Sequence, residues 1–131
     1  EDFELGGAVV RGLSREAEVA VAAAHAVYKE HMVLLLDCLT VGKWLSGAAV
    51  RVAEELGVGY SLGVVLSACR AVEEGLAEAP YKLPLPALLA AYLDKARGDG
   101  RFVASLPNLA KSLARRRGAR LLWERLTRKS Y

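Results

Sequence analysis

A chain of 131 residues with 53% hydrophobic and 25% charged side chains is long enough to bury one core and too apolar to remain an unfolded tail. Its net charge of +3 conceals a split: residues 1–79 carry 6 Lys/Arg against 12 Asp/Glu, and residues 80–131 carry 12 against 3. An apolar stretch over residues 19–36 is broken by His25, Lys29, Glu30 and His31, which excludes a transmembrane helix because charges at that depth are costly in lipid.

In chain order the elements predict an all-α, single-domain protein of about five helices. Residues 1–13, with Gly6, Gly7 and Gly12, read as an irregular arm. Residues 14–79 read as an acidic, apolar helical body. Ser14 is placed to cap a first helix running to about Leu39, with Glu16 and Glu18 in the turn where the helix dipole favours acid. Thr40-Val41-Gly42 interrupts or bends it, and a second helix runs from Lys43 to Leu56 with Gly57 at its C′ position. Ser61 caps a third, reaching about Glu78, whose Leu62, Val65, Leu66, Cys69, Val72 and Leu76 recur at spacings of three and four. Pro80, Pro84 and Pro86 make residues 80–86 a stiff connector. Residues 87–131 form a basic helical half. Its fourth helix begins at Pro86, ends near Arg97 with Gly98 as its stop, and turns Leu88, Leu89, Tyr92, Leu93 and Ala96 inward. A fifth, capped by Ser105, reaches Arg117, and Gly118 breaks or kinks it. On a helical wheel Leu106, Leu109 and Leu113 share one side, while Leu122, Trp123 and Leu126 fall on the other unless Gly118 re-aims the chain.

The residue types narrow the chemistry. There is no Ile and no Gln, Asn occurs once and Met once, and Arg outnumbers Lys by 12 to 6. A heat-adapted source gives this pattern, and a GC-rich genome leaves much the same bias. Cys38 and Cys69 match no zinc or redox spacing, so two buried free thiols are the default reading and one disulfide is the alternative. His25 and His31, six apart, point different ways on a helix and share no metal easily. The glycines from Gly57 to Gly63 follow a helix rather than a strand, which argues against a dinucleotide fingerprint, and no Walker lysine pattern occurs. No catalytic constellation emerges, so the chain is read as non-enzymatic, with no cofactor, metal or small-molecule substrate.

The cations carry the functional signal. After Gly100 the only acid is Glu124, against Arg101, Lys111, Arg115, Arg116, Arg117, Arg120, Arg125, Arg128 and Lys129. Like charges crowded this way repel one another and are tolerable beside a polyanion or an acidic surface. Guanidinium forks onto phosphate oxygens, and phosphate contacts give affinity without reading sequence. One Asn and no Gln leave the usual adenine-reading amide nearly missing. Pairing of these cations with the acidic half of the same chain, or of a neighbour, is the competing explanation. The residue 15–39 helix is apolar nearly all round and rich in Ala, which favours burial against other subunits.

The Ala/Val-rich helices, the Pro80–Pro86 hinge, the basic region over residues 105–131 and the heat-adapted composition resemble the helical coat proteins of filamentous and rod-shaped archaeal viruses, which wrap double-stranded DNA in an A-like form. That resemblance implies a self-assembling structural protein coating double-stranded DNA, with RNA as a possible ligand, in a homo-oligomer or beside a related coat subunit, within a virion. No signal peptide is visible, so the cytoplasm is the other expected location. The alternatives are a small helical subunit of a multiprotein nucleic-acid complex, similar in size and basicity to the small subunits of CRISPR effectors, and a small DNA-binding regulator.

Overall fold

The computed structural model describes residues 2–114. Over that span the chain is all-α, as expected, with six helices: α1 (Arg15–Ala24), α2 (Leu35–Trp44), α3 (Gly47–Glu55), α4 (Gly59–Glu73), α5 (Leu85–Gly98) and α6 (Gly100–Ala114). Two small antiparallel ribbons accompany them, β1 (Asp2–Leu5) with β2 (Ala8–Arg11), and β3 (Met32–Val33) with β4 (Tyr81–Lys82).

Helix α1 starts as its sequence dictates. Ser14 Oγ accepts a hydrogen bond from the Ala17 amide at 3.2 Å, and Glu16 and Glu18 lie in the first turn. It does not run to Leu39. After Ala24 it widens into a π-helical turn, His25–Glu30, and stops at His31, whose φ of 57° is left-handed. The chain pairs briefly as β3 and re-enters a helix with the Asp37 carboxylate accepting from the Leu34 amide at 2.8 Å. Thr40, Val41 and Gly42 therefore lie inside α2, and the break expected there falls at Leu45–Ser46, where the Ser46 hydroxyl caps α3 by accepting from Ala49.

Gly57 ends α3 as its position predicts. Its φ is 65°, its amide bonds the Glu54 carbonyl, and the Val58 amide reaches back to Ala53, a Schellman closure. That closure leads straight into α4 at Gly59, so Ser61 is not a cap. It is fully buried within the helix instead. A second left-handed glycine, Gly75 at φ 70°, ends α4 at Glu73, short of Glu78. Leu76 therefore lies outside the helix and is exposed, while Leu62, Val65 and Cys69 of the expected stripe are buried and Leu66 is half-buried.

The core is built mainly of Val and Ala. Val19, Ala23, Ala49, Ala53 and Val65 are inaccessible to solvent, and α1 packs on α2, α3 and α4 together. Small side chains allow such helices to approach closely. The apolar girdle of α1, read from sequence as a surface for other subunits, is thus covered largely within one chain. Cys38 of α2 and Cys69 of α4 form a disulfide, correcting the expectation of two free thiols. Adjacent helices bring their Cα atoms to 5.3 Å, a proximity that a 31-residue separation conceals in the sequence. Among the described residues no helix is long and apolar enough to cross a membrane.

Candidate nucleic-acid interface

Two of the nine candidate cations, Arg101 and Lys111, lie on α6, and what fixes that helix is a small polar junction. Lys95 of α5 donates to the Leu56 carbonyl at 2.9 Å and pairs with the Asp99 carboxylate at 3.0 Å. Asp99 Oδ1 in turn accepts from the amides of Arg101 and Phe102, at 2.9 and 3.1 Å. Asp99 is therefore the cap of α6, and Ser105, the expected cap, sits inside the helix with its hydroxyl on the Phe102 carbonyl. The Lys95 hydrogen bond, then the amide of Phe102, hold the Asp99 carboxyl below its ordinary pKa.

Phe102 anchors the other side of the junction, its ring 6.1 Å from that of Tyr92. Tyr92 belongs to a chain of hydrogen bonds that locks α5 to the rest. Its hydroxyl donates to the Tyr28 carbonyl, in the last turn before the chain leaves the helix, where carbonyls lose their intrahelical donors. The same hydroxyl meets His31 Nε2 at 3.2 Å. Ser61 donates to the Tyr28 hydroxyl at 2.8 Å, and that hydroxyl donates to the Ala91 carbonyl. Burial raises the Tyr28 pKa, with the Ser61 hydrogen bond opposing. Both tyrosine protons end on backbone carbonyls, so this network joins α4, α5 and the π turn. The ring of the left-handed His31 also contacts this network through Tyr92.

Beyond Phe102, α6 leaves the body. Arg101 and Lys111 are exposed. They are separated by ~15 Å along the axis and by about 80° around it, so both can face one partner. The first turn of α6 contains no acid, and a cation there opposes the helix dipole rather than complementing it. Arg101 is therefore not explained by helix stability. Pro107 lies in the helix interior. It removes the hydrogen bond to the Val103 carbonyl, at a cost of about 3 kcal/mol. The remaining candidates, Arg115, Arg116, Arg117, Arg120, Arg125, Arg128 and Lys129, lie outside the described residues, as do the expected break at Gly118 and the apolar side of Leu122, Trp123 and Leu126.

Sequence reasoning missed three features with functional bearing. The arm over residues 1–13 is a hairpin, for which Gly6-Gly7 at its turn was the available signal (both have positive φ). Leu89 and Leu93, expected inward, are exposed, and Ala91 takes the inner position. The cap at Asp99 was legible as an Asp two residues before an amphipathic run. No protein-family model matches the chain, and no curated protein or solved structure is found to match it either.

Proposed function

We propose that this is a non-enzymatic structural protein that self-assembles and coats double-stranded DNA through sequence-independent phosphate contacts. The observation that carries the reading is the placement of charge. Residues 2–114 hold 11 Lys/Arg and 13 Asp/Glu, near balance, whereas residues 115–131 hold 7 Lys/Arg and one Asp/Glu. A folded body that is electrostatically settled has little use for such a concentration of cations, and a polyphosphate has every use for it. Exposed Arg101, set against its own helix dipole, extends the cationic tract up to the body. Self-assembly is supported by the large apolar side chains left in solvent on α2, α5 and the hairpin.

The test is a mobility-shift titration with duplexes of unrelated sequence, single-stranded DNA and RNA, beside electron microscopy of the mixtures. Equal binding of unrelated duplexes, with extended particles, is the expected result. Binding restricted to one duplex sequence would instead make the chain a regulator, and a small particle formed only with other proteins would make it a complex subunit.

A further inference from the structure

Between α5 and α6 a single residue departs from helical backbone. Asp99 has φ −127° and ψ 96°, in the extended region, while Gly98 ends one helix and Gly100 starts the next. Helical hydrogen bonding reaches it from both sides. The Asp99 amide donates to the Lys95 carbonyl at 2.9 Å, and the Val103 amide donates to the Asp99 carbonyl at 3.2 Å. Of the amides between, those of Arg101 and Phe102 donate to Asp99 Oδ1. Rotation of Asp99 into helical φ and ψ would return these two to the carbonyls of Arg97 and Gly98, their partners in an unbroken helix. Two side-chain hydrogen bonds are thereby exchanged for two backbone ones, so hydrogen-bond number does not fix the bend. The Lys95–Asp99 pair, four residues apart, suits either form.

Elsewhere this chain fixes helix ends by devices that admit one geometry. Pro86 lies in the first turn of α5, and the left-handed Gly57 and Gly75 stop α3 and α4. The joint at Asp99 uses neither. Gly98 and Gly100 do not have positive φ, and among the described residues no atom lies within 4 Å of where a Cβ on either would stand. Neither conformation nor space calls for glycine there. What glycine does at such positions is weaken a continuous helix, by about 5-fold relative to Ala for each residue, and an interior Asp adds to that. The bent form in turn has the Asp99 cap and the ring contact of Phe102 with Tyr92. Among the described elements α6 makes its main contact with α5 alone, and Arg97, Gly98 and Gly100 are exposed. A few terms of similar size therefore decide the geometry of the joint.

We propose that Asp99 is a two-state joint. In one state the chain bends there and Asp99 caps α6. In the other, residue 99 is helical and α5 and α6 form one helix from Leu85 to Ala114, ~45 Å long. Arg101 and Lys111 ride on α6, and residues 115–131 follow it in sequence, so the joint sets where the cations are presented relative to the body. A partner that binds the two forms unequally shifts their ratio. The use of the joint rests on the proposed phosphate-binding role, whereas its existence does not.

The experiment measures the distance between spin labels on Leu89→Cys and Asn108→Cys in the full chain, with the Cys38–Cys69 disulfide intact and no nucleic acid present. Both labelled positions are exposed. A continuous helix separates them by ~28 Å, and the bent form by less. Gly98→Ala with Gly100→Ala should raise the ratio of long to short distance by ~10-fold or more, which brings into view a straight form that the parent populates at the level of a few per cent. Asp99→Ala, which removes the cap, should raise the ratio as well. Gly100→Pro should abolish the long distance, because proline suits the first helical position and the extended residue before it but not a helix interior. Both glycines are exposed, so the body should melt as the parent does. Alanine variants that keep the parent's distances, or a long distance that persists in Gly100→Pro, would overturn the proposal. With nucleic acid absent, failure of the DNA reading leaves this result untouched, and a rigid joint leaves duplex binding to its own titration.

Discussion

The body formed by α1–α5 and the region that begins at Asp99 solve opposite problems. In the body, Val and Ala fill an interior closed on itself, and two left-handed glycines, a disulfide and a tyrosine network fix how the helices meet. From Asp99 onward one cap and one aromatic contact hold the start of a helix, an internal proline weakens it, and the cations accumulate. The lesson is a division of labour. On the proposed reading, charge that would destabilise a compact core through self-repulsion is kept out of it and gathered where a polyanion could neutralise it.

That comparison can be broken first in the body. Val65→Asp places a carboxylate where no solvent reaches and should cost about 4 kcal/mol or more, abolishing cooperative melting. Leu66→Asp, one residue on and half-buried, should cost less, and the pair measures how sharply the core is bounded. Next comes the disulfide. A loop of 31 residues closed by Cys38–Cys69 contributes ~4 kcal/mol. Reduction, or Cys38→Ser with Cys69→Ser, should lower Tm by on the order of 10 °C, and an unchanged Tm would show that the pair does not form.

The hydrogen bonds of Tyr92 are a smaller matter. Tyr92→Phe removes its bonds to Tyr28 and His31 and should cost about 1–3 kcal/mol in a denaturant melt. At Asp99 the effect is tied to pH. A carboxyl with a depressed folded pKa contributes stability above its unfolded value, and loses it as pH falls through the folded one. Wild type should therefore exceed Asp99→Asn in Tm at neutral pH, and the difference should vanish well below pH 3.8.

Much of the helical architecture was legible. Ser14, Gly57 and Pro86 act through local geometry, and each lies where its chemistry demanded, Pro86 in the first turn of α5. The break at His31 was not legible, because the contact of its ring with Tyr92 spans 61 residues of sequence. Ser61 misled for the same reason, since its partner Tyr28 is remote in sequence and a serine before an apolar run looks like a cap. Leu89 and Leu93 fit an inward stripe by period alone, and only the position of α5 on α4 shows that Ala91 faces the core. Of the candidate site, Arg101 and Lys111 could be named from charge, but the Lys95–Asp99 junction that aims their helix depends on the distant Leu56 carbonyl.

The most direct measurement compares the salt dependence of duplex binding for the full chain and for a variant with Arg115, Arg116, Arg117 and Arg120 all replaced by Ala. If those guanidinium groups neutralise phosphates, log affinity falls linearly with log salt, and the variant's slope is shallower by about 3–4 with helicity unchanged. Equal slopes, or no affinity for duplex in dilute buffer, would mean that the cations answer carboxylates of the protein itself.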